Sequence, residues 1–390
     1  MPINRDTVEE FWSENNIAAA HRSADERSLE KFSRAFSEFL GVPESAIHLT
    51  SSGKSALEGL LRARKDKRSV VMVPALNCGR VKDAIEGADC EVRTYDFQFE
   101  PGRFDWDLVL DAASPQVSVL IVTHLYGVPV DLRRVRELCS DKEIMLIEDC
   151  AQTLGGHVAG HQVGTWGDAA IFSFSYDKPI SLGWGGMAVV NSTDMFVSEE
   201  SMFDYRLPVD PSLEMDFLLD FFESMKVRRS RIRVDKKDFS SIFRRVYNRL
   251  NRVASFDQGK AIGVVQAELG VYCLERFSKV RSIRNTNADL FSSLCPLPTW
   301  PVMSEDIEPA WLKQKVFVSS PKQLDSISRD LRKAGIRAGN FNWPRLIGGE
   351  GSRASPIASQ VATCWMDVPI HQRMEVGEIE DMVSVIRQHA

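Results

Sequence analysis

A chain of 390 residues with 44% hydrophobic and 26% charged side chains can bury a large core and is longer than one domain ordinarily needs, so a large and a small domain are expected. A net charge of −6 argues against general nucleic-acid binding. No apolar run reaches bilayer length, and no basic n-region precedes one at the N-terminus, so neither a membrane anchor nor a signal peptide is expected.

Seven scattered cysteines, none in a Cys-x-x-Cys pair, suit free thiols in a reducing cytoplasm and give no sign of a metal site. Along the chain, Leu29, Phe32, Ala35, Phe36 and Phe39 recur at helical spacing over Ser28 to Leu40, and Gly41 with Pro43 beyond it stops the helix. Ala46 to Thr50 reads as a short strand leading into Ser51-Ser52-Gly53-Lys54-Ser55. Such a turn, opening a helix, presents free backbone N–H groups and the positive end of the helix dipole, which together hold a phosphate. The same residues read equally well as an ordinary helix cap.

Val70 to Pro74 is a buried strand whose exit loop contains Cys78. Val117 to Thr123 is wholly apolar in pattern and ends in His124-Leu125-Tyr126-Gly127. With a helical stretch from Leu132 to Cys139, these runs give the βαβ rhythm of a mostly parallel sheet covered on both faces. No Gly-x-Gly-x-x-Gly follows a strand, which argues against a dinucleotide site.

The stretch from Ile144 to Gly186 carries the chemistry. Ile144 to Ile147 is a buried strand that empties into Glu148-Asp149-Cys150-Ala151-Gln152, and ligands of open α/β sheets bind at that edge. A second buried run, Ala169 to Phe174, is followed by Ser175-Tyr176-Asp177-Lys178-Pro179 and then Gly183-Trp184-Gly185-Gly186. Taken singly, Lys178 reads as a loop lysine and Asp149 as a cap. In combination, a lysine at one strand end and an acid at its neighbour suit a Schiff-base enzyme. Pyridoxal phosphate needs an amine to hold its aldehyde and a carboxylate to keep its ring nitrogen protonated.

From about Asp194 to Asp257 the pattern is irregular, first acidic and aromatic, then basic: residues 226–252 hold eleven Lys or Arg against two acids. A long helix running from near Ala261 past Arg281, a strand at Trp311 to Val318, a helix at Lys322 to Ala334 and a last helix at Glu375 to His389 complete a small α+β domain. The expected division is a large domain over 1–257, with 194–257 as an irregular basic insert, and a linker helix with the small domain over 258–390.

Four ordered motifs resemble the DegT/DnrJ/EryC1/StrS family of pyridoxal-phosphate-dependent sugar aminotransferases: Glu148-Asp149-Cys150-Ala151-Gln152, Gly164-Thr165-Trp166-Gly167-Asp168, Phe172 to Lys178, and Gly185-Gly186-Met187. The resemblance implies an α/β type I aminotransferase fold in which Lys178 holds the cofactor, Asp149 meets its ring nitrogen and Gln152 its phenolic oxygen. It further implies that Ser52, Gly53, Lys54 and Ser173 bind the phosphate, with Lys54 where relatives carry threonine. Cys78 stands where they carry a stacking aromatic ring. His124, in a similar His-Leu-Tyr-Gly, is implied as a substrate contact. The implied donor is glutamate or glutamine, the acceptor a keto group on a nucleotide-linked deoxysugar or a cyclitol, and the assembly a homodimer; the basic segment reads equally well as a solvated helix face or as one in which some of Arg228, Arg229, Arg231 and Arg233 bind the acceptor's phosphates. A non-catalytic protein of this fold, a sugar dehydratase relative in which histidine replaces the lysine, and a nucleic-acid-associated protein using the basic segment remain as alternatives.

Overall fold

The computed structural model describes residues 13–98, 100–175, 177–197, 203, 210–230 (side chains to 222), 261–302, 304–336, 338–339, 345–347 and 355–390. The basic segment 226–252, with Arg228, Arg229, Arg231 and Arg233, therefore lies outside the described side chains.

Seven strands form the central sheet: β1 (Ile47–Thr50), β2 (Val70–Pro74), β3 (Glu91–Tyr95), β4 (Val117–Thr123), β5 (Met145–Asp149), β6 (Ala169–Ser173) and β7 (Gly186–Val190). Their order across the sheet is β1-β7-β6-β5-β4-β2-β3. Only β7 runs against its neighbours; β6, β5, β4, β2 and β3 pair in parallel. Every residue of β4 and β5 is buried, because helices cover both faces and neither face of the strand meets water.

Those helices begin with α1 (Glu14–Ser23), α2 (Ser28–Leu40), α3 (Gly53–Ala63), α4 (Gly79–Gly87), α5 (Trp106–Asp111) and α6 (Arg133–Asp141). α2 keeps its expected bounds. Gly41 ends it in the left-handed region at φ 73°, its N–H on Ser37 O at 2.8 Å, the geometry glycine adopts without a Cβ clash.

Part of the stretch expected to be irregular is helical: α7 (Pro211–Ser230) buries Leu218, Phe221 and Phe222. The 31-residue α8 (Val264–Leu294) follows. Glu214 of α7 joins them, accepting from Val265 N–H at 3.1 Å and Gln266 N–H at 2.7 Å at the start of α8. Burial pushes the Glu214 carboxyl up to about 7 against the lowering effect of those two donors.

The N-terminal half of α8 packs with α2 and the sheet: Phe277 meets Phe39 at 5.9 Å, and a Cβ on Gly270 would lie 2.5 Å from the Phe32 ring. Its C-terminal half contributes Ala288 and Phe291 to a second core with Trp300, Val316, Ile327, Trp365 and Ile379. That core holds β8 (Gln314–Phe317), antiparallel to β9 (Trp365–Val368), beside α9 (Pro321–Lys333), α10 (Pro356–Cys364) and α11 (Val376–Arg387). The strand expected from Trp311 is shorter, because residues 310–313 are tied instead to the loop after β4. Ala310 N–H donates to Gly127 O at 2.8 Å and Leu312 N–H to Tyr126 O at 3.0 Å. Gly127 sits at φ 92°, and a Cβ there would fall 2.2 Å from Ala310 O, so this approach needs glycine.

All seven cysteines are free thiols. Among the described residues no helix is long and apolar enough to cross a membrane.

Candidate active site

Asp149 is the last residue of β5, directly across from Thr123, the last of β4. The Thr123 hydroxyl donates to Asp149 Oδ2 at 3.3 Å and accepts from Asn77 Nδ2 at 2.8 Å, while Ala151 N–H donates to Asp149 Oδ1 at 3.1 Å. A carboxylate can accept about four hydrogen bonds, so Asp149 retains acceptor capacity. Burial raises its pKa, opposed by the Ala151 N–H, the charges of Lys178 and His124, and the Thr123 hydroxyl. A buried, underfilled carboxylate gains from a cationic or N–H donating ligand.

Lys178 follows the neighbouring strand β6. Its loop is closed by Leu182 N–H on Phe174 O at 2.7 Å and Phe174 N–H on Gly185 O at 2.9 Å. The side chain keeps some exposure, yet the protein packed around it lowers the amine's pKa. Cys78, Asp149 and Asp177 oppose that shift, and Lys313 adds to it. Amine and carboxyl thus act on one another electrostatically, while the protein packed around them shifts each toward its neutral form.

The third component is the start of α3. Ser52 Oγ accepts from Ser55 N–H at 3.1 Å, and Ser51 Oγ and Ser52 Oγ lie 2.7 and 2.9 Å from Ser55 Oγ. The N–H groups of Gly53 and Lys54 lie in the first turn of α3, where no intrahelical carbonyl is in place to accept them. A Cβ on Gly53 would stand 3.2 Å from Ser173 Cβ, and one on Gly186 would stand 2.3 Å from Gly53 N. Helix start and strand ends therefore meet with no side chain between them, leaving a cradle of N–H groups and hydroxyls that a Cβ would fill. Lys54 turns its ammonium onto Glu58 at 2.8 Å, so it offers the cradle a backbone N–H, not a charge. Ser173 Oγ lies 3.1 Å from Ser175 Oγ.

Gln152 is buried, and its Oε1 accepts from Tyr126 N–H at 3.2 Å. Its Nε2 makes no hydrogen bond among the described residues and is the end a ligand oxygen could use. Cys78 is half-buried at the start of α4, close enough to Lys178 for the two to interact electrostatically. An amine, a carboxylate and an N–H and hydroxyl cradle match the aldehyde, ring nitrogen and phosphate of pyridoxal phosphate, so the residues present fit that group.

His124 requires a correction. It is fully buried, Nδ1 accepts from Val130 N–H at 2.9 Å, and Nε2 lies 3.1 Å from Glu148 Oε2. The Nδ1 contact fixes the tautomer, so Nε2 donates to Glu148 and neither ring nitrogen is left for a substrate. Glu148 also accepts from the N–H groups of Gly164, Trp166 and Gly167 at 2.8, 2.7 and 2.8 Å. The Gly164–Asp168 motif is therefore wrapped around a carboxylate beneath the site. His124, Glu148 and Cys150 cluster within 4.8 Å, but these hydrogen bonds already account for the His124 and Glu148 atoms without an ion.

Asp177 and Lys313 were not singled out from sequence. They form an ion pair that brings a cation from the second core beside the Lys178 loop, and 136 residues separate them, so no local pattern signals the contact. Thr123 and Asn77, which orient Asp149, were likewise visible only as strand and loop residues.

The profile of the DegT/DnrJ/EryC1/StrS aminotransferase family matches residues 9–204. The GDP-perosamine synthase of Vibrio cholerae is 30% identical over 184 residues, covering 42% of this chain and 44% of that protein. The L-glutamine:2-deoxy-scyllo-inosose aminotransferase of Streptomyces kanamyceticus is 28% identical over 164 residues, covering 42% and 38%. The chain thus spans less than half the length of these curated relatives. Among solved structures, Spr1654 of Streptococcus pneumoniae, assigned as a sugar aminotransferase and determined in its PMP form, superposes with a TM-score of 0.73 at 18% identity, covering 100% of this chain and 96% of that one. That likeness shows the fold, a type I aminotransferase α/β architecture.

Proposed function

Because this chain belongs to the DegT/DnrJ/EryC1/StrS aminotransferase family, we propose that it uses pyridoxal phosphate to move an amino group from glutamate or glutamine to a keto group of a nucleotide-linked deoxysugar or a cyclitol. What supports this reading is that Asp149, at the end of β5, and Lys178, in the loop after the adjacent parallel strand β6, lie near enough to interact electrostatically beside the start of α3. When bound, the cofactor supplies an aldehyde to carry the amino group and a ring that draws electrons from the donor's α-carbon. Asp149 keeps a carboxylate oxygen toward the ring nitrogen and favours its protonated form. Gln152 Nε2 donates to the phenolic oxygen. Ser52, Ser173 and the N–H groups of Gly53 and Lys54 hold the phosphate. Lys178 Nζ would accept the proton released from the donor's α-carbon and hold it for the return transfer. Its depressed pKa favours that role, since a lowered pKa increases the share of free amine able to accept a proton.

The dehydratase alternative calls for histidine where this chain has Lys178. Cys78 supplies no ring at the stacking position, so hold on the cofactor falls to the cradle, Asp149 and Gln152. The reading extends to a homodimer, to be tested by light scattering, where a monomer at micromolar concentration would count against it.

The decisive experiment is spectroscopic. Purified full-length protein incubated with pyridoxal phosphate should absorb in the visible, lose that band with borohydride, and carry the reduced label on the peptide containing Lys178. Glutamate or glutamine should bleach the band, and a panel of keto-sugar nucleotides and keto-cyclitols should restore it. Absence of both band and label would overturn the reading.

A further inference from the structure

The Lys178 loop carries a second acid beside the amine itself. Asp177 immediately precedes Lys178 and lies in the left-handed region at φ 64°, a conformation that aspartate tolerates better than most residues but that a neighbouring contact must hold. That contact is Lys313, which pairs with Asp177 Oδ2. Lys313 is delivered from the second core by the backbone staple that ties residues 310–313 to Tyr126 and Gly127, its own N–H reaching Tyr126 O at 3.4 Å. The pair is partly exposed, with 22% of the Lys313 and 32% of the Asp177 side chain accessible. An ion pair so exposed contributes little to folding stability, so its effect is to be sought where its charges act.

We propose that Lys313 is a positioning residue for Lys178: by holding the Asp177 carboxylate, it prevents that carboxylate from pairing with the adjacent Lys178 amine and keeps the amine able to give up its proton. The proposal rests on Lys178 being the reactive amine of the function proposed above. Among the described residues, the charged or titratable groups that act on Lys178 are Cys78 from the loop after β2, Asp149 from β5, Asp177 from its own loop and Lys313 from the segment before β8. Asp149 is committed to the floor of the site by Thr123 and Ala151. Among the described residues Asp177 is held by Lys313, and a freed carboxylate next to an amine stabilises the ammonium form. The second core thereby acts on the acid–base state of a lysine carried by the first.

The test is competitive labelling of the full-length protein with trace acetic anhydride across pH 6–11, after hydroxylamine treatment to clear the amine. Peptide mass spectrometry then reads the pH midpoint of Lys178, with Lys142 and Lys322 as references whose unchanged midpoints report an intact fold. Lys313→Met should raise the Lys178 midpoint by about one pH unit, since a cation is removed and Asp177 is released. Lys313→Arg should keep the wild-type midpoint. The double variant Lys313→Met with Asp177→Asn should return it to the wild-type value, because the two charge changes oppose one another. An unmoved Lys178 midpoint in Lys313→Met, or a raised one that persists in the double variant, would overturn the proposal. Borohydride trapping of pyridoxal phosphate, run in parallel, reports on the function reading separately, because the acetylation midpoints need no cofactor.

Discussion

Glu148 and Asp149 are consecutive residues of one strand, and strand alternation sends them to opposite faces of the sheet. Glu148 accepts three backbone N–H groups and the imidazole of His124; Asp149 accepts one backbone N–H and one hydroxyl. Both are buried. The contrast separates a carboxylate whose charge is spent on holding a loop from one whose charge is held in reserve. Burial and position at a strand end do not distinguish the two, whereas a count of satisfied lone pairs does.

The largest expected effect lies on the reserved side. Lys178→Ala should fold normally yet lose transamination by a factor on the order of 10²–10⁴ or more, measured with the donor half-reaction and by absence of borohydride label on the peptide. Turnover at the wild-type rate would remove Lys178 from the chemistry. Asp149→Asn should slow proton transfer about a hundredfold while changing unfolding free energy by under about 1 kcal/mol, since it removes a buried charge with few donors. Stopped-flow spectra and urea unfolding on the same preparation read both quantities.

Glu148→Gln should do the reverse. An amide offers one acceptor oxygen to four donors, so a loss of about 3 kcal/mol in urea unfolding is expected, with the residual folded enzyme close to full activity. If Glu148→Gln and Asp149→Asn cost equal stability, the distinction drawn from their donors fails.

The smallest effect sharpens the comparison with a third acid. Glu214 caps α8 with two N–H donors, and its folded pKa, raised to about 7, lies above an unfolded value near 4.5. Its contribution is therefore fully present below about pH 4.5 and lost as pH rises through about 7, on the order of 1–3 kcal/mol. Glu214→Gln should flatten that fall between pH 5 and 8, while a slope identical to wild type would mean that Glu214 titrates normally in the fold.

Much of the architecture was legible where one physical signal dominated. β4 matches its sequence bounds because seven residues buried on both faces leave a run with no polar interruption but Ser118. α2 matches because its apolar stripe and Gly41 agree. α7 was missed because Met215, Phe217, Leu218, Leu219, Phe221 and Phe222 crowd around the helix instead of forming one stripe. The direction of β7 is a property of its neighbours and has no local mark. In the site, Lys178 and Asp149 stood out because strand ends announce them. His124 misled because a histidine after a strand reads alike whether it faces a cleft or a buried glutamate 24 residues away.

One further property follows from α8. At 31 residues it is a rod of about 46 Å, with one half embedded in each core. Two bodies sharing a single rigid beam do not swing apart at a loose joint; any change in the gap between them has to flex the beam or slide side chains along it. The separation between the Lys178 loop and Lys313 is then set by that beam together with the backbone bonds of Ala310 to Gly127 and Leu312 to Tyr126, so a glycine or proline substituted near the helix middle would load bonds it never touches.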